Sequence, residues 1–185
     1  MAYQENFSAQ VAVMDLMRLQ KINADKPLST YLYRSLNQDD QGLSFKVFGH
    51  GKAKALSDVL PILERMGVKV INAHPYSIKS NTGLNHWIID FVIQIDAQVN
   101  LDGANVKERF QDAFSQIYSG RVANDRFNSL VLAANLTWQQ IILVRAISSY
   151  LHQIQVPFSQ TYMQSTLMRN ANITHTLVRL FEARF

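Results

Sequence analysis

The sequence contains no cysteine among its 185 residues, which excludes disulfides and thiolate metal sites. It also lacks any run of about 18 apolar residues, so we expect no membrane-spanning helix. Residues 1–8 are mostly polar, and no apolar stretch follows a basic start as it would in a signal peptide. Because 48% of the residues are apolar, a packed core is expected. The sequence therefore predicts a soluble cytoplasmic protein of one large or two small domains.

The charge pattern gives little support for nucleic-acid binding. The formal net charge is +4, and the 18 cations divide into ten up to Lys79 and eight from Lys107 onward. No helical face carries a stripe of Lys and Arg, and aromatic residues do not alternate with cations as a base-stacking surface requires. We therefore expect no nucleic acid among the partners.

The first part of the chain alternates between helical and strand patterns. Apolar spacing predicts a helix over residues 8–22, which ends before Pro27. Period-two alternation in residues 28–35 and 43–49 predicts a hairpin, joined by the polar connector 37–42.

A helix and two strands are predicted next. We expect Ser57 to be the N-cap of a helix over residues 58–66, with Pro61 in its first turn and Gly67 at its end. Strands are predicted at residues 68–73 and 84–95.

The strand at residues 84–95 has two unlike faces. Trp87, Phe91 and their alternate neighbours form an apolar face, whereas His86 and Asp90 share a mixed face with Ile88 and Val92. This pattern is typical of a sheet with helices on one face.

From residue 104 onward the apolar period changes to 3.6, which predicts five helices and no further strand. The first ends at Ser119-Gly120, and a second covers residues 125–134. Thr137 and Gln140 form a capping-box pair that begins a third helix, and Pro157 separates it from a fourth. The apolar positions of the third helix are broader than one narrow face, which indicates either a core helix or a packing surface.

The usual arrangements of catalytic and metal-binding residues are not found. The five histidines, at positions 50, 74, 86, 152 and 175, are not spaced as zinc ligands, and any on a helix is expected to be exposed or hydrogen-bonded. His86 and Asp90 lie roughly 13 Å apart along a strand, too far to form a dyad. The loop Gly49-His50-Gly51-Lys52 lacks the features of a phosphate loop and is interpreted as a strand-to-helix connector. We therefore assign no catalytic, cofactor-binding or metal-binding residue, and the ligand-binding residues are unknown.

Several phrases resemble the large bacterial NAD-specific glutamate dehydrogenases. The similarity covers roughly residues 43–185 and is strongest in the second half. The phrases are Leu56-Ser57-Asp58-Val59-Leu60-Pro61-Ile62-Leu63-Glu64, Ala123-Asn124-Asp125, Phe127-Asn128, Leu130-Val131-Leu132-Ala133-Ala134, Pro157-Phe158-Ser159-Gln160 and Leu180-Phe181-Glu182-Ala183-Arg184-Phe185. The chain departs from the family at Asn72-Ala73, where acidic residues are usual, and at Arg126 and Asn135, where glycine is frequent.

The resemblance implies an α+β fold, with a small and largely antiparallel ACT-like (ferredoxin-like) sheet followed by an all-helical segment. ACT domains have the order βαββαβ, and a strand of the predicted hairpin could fill the final position. The implied domains are an ACT-like domain with an N-terminal helix at residues 1–119 and a helical segment at 120–185 that leads toward a catalytic domain. That catalytic domain would hold the NAD, and this chain would hold no cofactor.

The function implied is a non-catalytic regulatory or assembly segment of a homo-oligomeric dehydrogenase. Its partners would be its own catalytic domain and other subunits, with an amino acid as a possible effector. Because the last helix lacks a C-terminal cap signal, we expect the natural polypeptide to continue beyond Phe185. The alternative is a stand-alone amino-acid sensor of the ACT type.

Overall fold

The computed structural model describes residues 3–23, 26–34, 43–79, 85–97 and 99–185. Two compact units are present. We call the first, Met1–Asp58 with Val70–Gln94, the sheet unit, and the second, Val59–Lys69 with Ile95–Phe185, the helical unit.

The sheet unit begins with two helices, α1 (Tyr3–Asn6) and α2 (Ala9–Gln20). Ser8 is the N-cap of α2, and its hydroxyl accepts from the backbone N–H of Val11 at 3.5 Å. The helix predicted over residues 8–22 is confirmed.

Four strands form one sheet in the order β1-β2-β4-β3. Their bounds are β1 Leu28–Arg34, β2 Leu43–His50, β3 Val68–Lys79 and β4 Asn85–Ile95. β2 is antiparallel to both β1 and β4, which confirms the predicted hairpin. The connector predicted at residues 37–42 and Leu84 lie outside the described residues. β3 is longer than predicted and contains Pro75, which an edge strand tolerates because one side of its backbone needs no ladder partner.

The sheet order explains how an ACT-like fold is completed. The chain runs β2, α3 (Leu56–Arg65), β3, β4 and α4 (Val106–Tyr118), which is a βαββα order. The missing outer strand comes from earlier in the chain, because β1 lies beside β2 at the edge. The expectation that a hairpin strand fills this position is confirmed, and so is the α+β class.

The β2–β4 register sorts side chains onto two faces. Phe45 lies opposite Phe91 on the apolar face, whereas Lys46 lies opposite Asp90 on the mixed face. Gly49 lies opposite Trp87, and a Cβ atom on Gly49 would come within 2.2 Å of the indole ring. Only glycine therefore leaves room for the indole over the strand.

The alternation in β4 predicted helices on one face of the sheet. The structure shows that α2 also covers the mixed face. Leu19 of α2 packs with Phe48, Tyr76 and Ile88, and the side chains of α1 add to this cluster. The apolar face is buried too, with Phe45 and Phe91 fully inaccessible. The polar residues of the mixed face therefore lie inside the protein.

Helix α3 corrects two details of the prediction. It begins at Leu56, so Ser57 lies inside the first turn and is not the N-cap. Pro61 consequently lies in the second turn and leaves the carbonyl of Ser57 without its helical donor. Gly67, with φ +84°, ends the α3 segment as predicted.

The helical unit contains α4 and five further elements after it. These are a 3₁₀ turn at Arg126–Ser129 with a short α5 (Leu130–Ala133), α6 (Trp138–Gln153), α7 (Gln160–Arg169) and α8 (Ala171–Arg184). The prediction of a single helix at residues 125–134 is therefore wrong in detail. Polar side chains compete with the backbone there, since Asn128 Nδ2 donates to the Ala123 carbonyl at 2.9 Å and Ser129 Oγ donates to the Arg126 carbonyl at 2.8 Å.

The predicted start of α6 is confirmed in atomic detail. The N–H of Gln140 donates to Thr137 Oγ1 at 3.2 Å, and the N–H of Thr137 donates to Gln140 Oε1 at 2.9 Å. This reciprocal capping box fixes where α6 begins, and Ser159 caps α7 in a similar way through the N–H of Tyr162.

Candidate functional site

A buried ion pair lies at the centre of the mixed face. Lys46 Nζ of β2 is 2.5 Å from Asp15 Oδ2 of α2, and the two side chains are 1% and 5% exposed. The hydroxyl of Tyr3 donates to the same carboxylate oxygen. Because removing either charge would leave the other unpaired and desolvated, this pair fixes α2 on the sheet.

Aromatic rings complete the surroundings of the ammonium group. Lys46 Nζ is 3.6 Å from the centre of the Phe7 ring, and the rings of Tyr3 and Tyr33 lie at 5.8 and 5.5 Å. A cation over ring faces is stabilised most when it is shielded from water. The lysine is therefore held by both a carboxylate and three rings.

Asp90 adds a second carboxylate to the same face. Burial raises the pKa of Asp90, and the nearby charge of Lys46 opposes this rise. The hydroxyl of Tyr33 donates to Asp90 Oδ2 at 3.2 Å. Lys46 is thus paired with Asp15 and lies near enough to Asp90 to act on its charge.

The tyrosine hydroxyls of this cluster keep their protons. Burial, followed by the hydrogen bond to Asp15, raises the pKa of Tyr3 far above its usual value. Burial and the charge of Asp90 likewise raise the pKa of Tyr33. Since every member is hydrogen-bonded or paired inside the sheet unit, the arrangement suits a structural role better than proton transfer to a substrate.

The residues singled out in the sequence occupy ordinary structural positions. Gly49 and His50 of the predicted connector are the last residues of β2, so that only its Gly51 and Lys52 lie between β2 and α3. The N–H of Gly51 donates to the Asn85 carbonyl at 2.8 Å. His86 and Asp90 share the mixed face of β4, four residues apart. His175 Nδ1 lies 2.9 Å from the carbonyl oxygen of Ala134, and His152 is exposed, as expected of helical histidines.

Metal-binding groups and membrane-spanning helices are both absent from the described residues. Within the part of the chain that the structure describes, no three His, Asp or Glu side chains form a group that could hold a metal ion. Among these same residues, no helix is both long and apolar enough to cross a membrane.

An apolar groove in the helical unit is formed by α6, α7 and α8 and has a volume of about 490 Å³. We call it the α6–α8 groove. Its lining consists of aliphatic and aromatic side chains with a few hydroxyl groups: Leu143, Val144, Ile147, Ser148, Leu151, Val156, Phe158, Tyr162, Met163, Thr166, Leu167, Thr174, Leu177, Val178 and Phe181.

Much of this lining is open to solvent. Ile147 is 42% exposed, Phe158 48%, Tyr162 50% and Leu177 54%. Phe158 and Tyr162 stack with ring centres 5.2 Å apart, so they form one flat apolar wall. Further apolar residues outside the lining, such as Ile173 and Leu180, are also exposed. An apolar surface of this breadth is typical of an interaction site.

Local contacts hold the three helices of the groove in place. Arg145 of α6 forms a bidentate pair with Asp125, with N···O distances of 2.6 and 3.0 Å, and its guanidinium also donates to Asn128 Oδ1. Thr174 Oγ1 of α8 donates to the Leu167 carbonyl of α7 at 2.8 Å. These contacts anchor α6 to the segment around the 3₁₀ turn and α8 to α7.

Sequence reasoning found part of this surface. The breadth of the apolar positions in α6 indicated either a core or a packing surface, and Ile142, Ile147 and Tyr150 are in fact exposed. The contributions of α7 and α8 were missed, because the groove exists only once the three helices are placed side by side.

Family models match three adjoining stretches of this chain. Residues 1–22 match glutamate dehydrogenase helical motif 2, residues 27–106 match its ACT3 domain, and residues 122–185 match its helical motif 3. The fold and these matches thus define an ACT domain between two helical motifs of the glutamate dehydrogenase type.

Curated relatives agree with this assignment. The NAD-specific glutamate dehydrogenase of Halomonas elongata is 38% identical over 184 residues, and that of Pseudomonas aeruginosa is 40% identical over 183 residues. The enzyme of Mycobacterium tuberculosis is 36% identical over 190 aligned residues. The chain belongs to the NAD-specific glutamate dehydrogenase family. The matches cover 99–100% of this chain but only 11–12% of the length of these relatives.

One departure from the family has a structural explanation. Asn135, where the resemblance led us to expect glycine, has φ +48°, a backbone conformation that glycine and asparagine tolerate best. The substitution therefore preserves the backbone conformation of the turn before α6.

Proposed function

We propose that this chain is a non-catalytic regulatory or assembly segment of an NAD-specific glutamate dehydrogenase. The parent reaction would convert L-glutamate, NAD and water to 2-oxoglutarate, ammonia and NADH in the cytoplasm. NAD would bind in a catalytic region outside the part of the relatives that this chain matches. The observation that carries the proposal is the open α6–α8 groove, which presents an interaction surface.

The buried charges of the sheet unit support the non-catalytic part of the proposal. Among the described residues of the sheet unit, Lys46, Asp15 and Asp90 are the buried ionic side chains. Lys46 pairs with Asp15, and Asp90 accepts a hydrogen bond from the Tyr33 hydroxyl. A catalytic lysine or carboxylate must reach a substrate, whereas these groups are packed between α2 and the sheet.

The groove favours a protein partner over an amino-acid effector. An amino acid carries an ammonium and a carboxylate group, which need charged or strongly polar partners. The polar side chains that line the groove are serine, threonine and tyrosine hydroxyls. The catalytic region or another subunit is therefore the better-supported partner. Calorimetric titration with the common amino acids tests the sensor alternative, which would be favoured if one of them binds.

The experiment that tests the proposal uses the Pseudomonas aeruginosa relative as a host. Its matching segment is replaced by this chain, and a second version has the segment deleted. We expect the 185-residue chain alone to show no glutamate-dependent NAD reduction, the chimera to be active, and the deleted version to lose activity or its native subunit assembly.

Two results would contradict the proposal. Turnover by the 185-residue chain alone would end the claim that it is non-catalytic. Full activity, native assembly and unchanged effector response in the deleted version would end the claim that the segment regulates or assembles the enzyme.

A further inference from the structure

We propose that the α6–α8 groove binds an amphipathic helix whose apolar stripe is bordered by acidic residues. The helix would come from the part of the dehydrogenase polypeptide that this chain does not span. This inference rests on the proposed function and names the chemistry of the partner.

The shape of the groove favours a helix. Three helices form its walls, and it stays open along its length, with lining residues such as Leu177 and Tyr162 about half exposed. An amphipathic helix buries side chains at positions i, i+3, i+4 and i+7 in such a groove. A fourth helix would complete the packing that α6, α7 and α8 begin.

The charge of this region favours acidic borders. Residues 126–185 contain five arginines and a single acidic residue, Glu182, so the whole formal net charge of +4 lies in this stretch. Arg169 follows the lining residue Thr166 by three positions, and Arg184 follows Phe181 by three. Residues three apart are neighbours on a helix surface, so both arginines flank the groove.

One hydroxyl in the groove offers a polar contact. Thr166 Oγ1 is buried and has no hydrogen-bond partner among the described residues. A buried hydroxyl without a partner costs free energy, and a polar side chain on the incoming helix would satisfy it. The groove thus provides apolar contact, flanking positive charge and one hydrogen-bonding group.

The bound helix can come from the parts of the polypeptide that this chain does not match. This chain matches 11% of the Pseudomonas aeruginosa enzyme, so most of that polypeptide lies outside the match. A helix on the same polypeptide or in the same oligomer reaches the groove at a high effective concentration. Its intrinsic affinity can therefore be modest.

The test measures binding of two designed peptides to the 185-residue chain by fluorescence anisotropy. Both peptides are helical and share one leucine stripe, but one has glutamate borders and the other has lysine borders. We expect the glutamate peptide to bind at least about tenfold more tightly at low salt, with the difference shrinking as salt screens the arginines. Replacing Arg169 and Arg184 with alanine should reduce the preference severalfold.

A matched pair of substitutions locates the binding site. L177E places a charge in the groove, whereas L180E makes the same change three residues along α8, outside the lining. Both leucines are exposed, at 54% and 65%, so both variants should fold, which circular dichroism verifies. We expect L177E to weaken binding of the glutamate peptide at least tenfold and L180E to leave it nearly unchanged.

Three results would overturn the inference. The first is equal affinity for the two peptides. The second is equal loss of binding in L177E and L180E. The third is dimerisation of the chain that L177E alone abolishes, since a second copy would then occupy the groove. None of these results bears on the deletion experiment in the Pseudomonas aeruginosa host, so the proposed function can survive the failure of this inference.

Discussion

The sheet unit and the helical unit differ in how they treat charged side chains, although both leave large apolar residues exposed. Among the described residues, the sheet unit buries Asp15, Lys46 and Asp90 between α2 and its sheet. The helical unit leaves large apolar residues such as Ile173, Leu177 and Leu180 more than half exposed. Burying a charge is costly unless it is paired, and exposing a broad apolar surface is costly unless it is covered by a partner.

The buried charges of the sheet unit contribute to stability, whereas the exposed apolar residues of the helical unit form a surface for interaction. In the sheet unit, the buried charged residues Asp15, Lys46 and Asp90 are paired or hydrogen-bonded within the unit itself, so their role is to hold α1 and α2 in place. In the helical unit, the unusual residues have no such partner in the described part of the chain, so they mark the surface where assembly is proposed. The predictions below test whether this division holds.

The largest effect is expected for F91A. Phe91 is fully buried on the apolar face of β4, so the truncation should lower the free energy of unfolding by about 3–5 kcal/mol. The matched change F158A removes a ring that is 48% exposed and should cost less than about 1 kcal/mol. Urea unfolding measures both. Similar losses in the two variants would contradict the division between the units.

The next effect is expected for the buried ion pair. K46M leaves Asp15 and Asp90 without their cation and should lower the free energy of unfolding by about 3 kcal/mol. The double variant K46M/D15L removes both charges and should recover a large part of that loss.

An exposed ion pair in the helical unit provides the control. Lys107 and Asp102 lie 3.3 Å apart with side chains 36% and 68% exposed, so K107M should cost less than about 1 kcal/mol. If K46M costs no more than K107M, the buried pair does not hold α2 on the sheet.

Local chemistry explains which features could be predicted from the sequence. The capping box of Thr137 and Gln140 and the turn at Gly67 depend on residues within a few positions of each other, so the sequence alone determines them. The alternation in β4 likewise predicted which side chains share a face. These predictions needed no knowledge of the tertiary fold.

Long-range features could not be predicted. Lys46 and Asp15 are 31 positions apart, and nothing local indicates that α2 crosses the mixed face. The groove likewise requires α6, α7 and α8 to be placed together. The predicted start of α3 was wrong for a different reason. Ser57 has the side chain of a typical N-cap, but the helix begins one residue earlier, at Leu56.

A smaller effect concerns pH and Asp90. Because burial raises the pKa of Asp90 in the folded protein, the folded state holds this proton more tightly than the unfolded state, where the pKa is near 3.8. Protonated Asp90 therefore stabilises the folded state fully below pH 3.8. This stabilisation is lost as the pH rises through the pKa of Asp90 in the folded protein. D90N cannot titrate, so its stability relative to the parent should increase from about pH 4 toward neutral pH.

Urea unfolding at a series of pH values measures this difference. If the parent instead becomes more stable relative to D90N as the pH rises, the attraction of Lys46 lowers the pKa of Asp90 more than burial raises it.

The smallest effect is expected at the turn before α6. N135G should raise the free energy of unfolding by about 0.5–1 kcal/mol, because Asn135 has φ +48° and its buried Oδ1 has no hydrogen-bond partner among the described residues. Gln155 has φ +60° but is exposed, so Q155G relieves only backbone strain.

The two glycine variants separate two costs. Asparagine tolerates positive φ better than glutamine does, so backbone strain alone would make Q155G the more stabilising change. A larger gain for N135G in urea unfolding would show that the buried amide contributes a cost of its own. The helical unit would then contain a local polar cost at Asn135, in contrast to the paired Asp15 and Lys46 of the sheet unit.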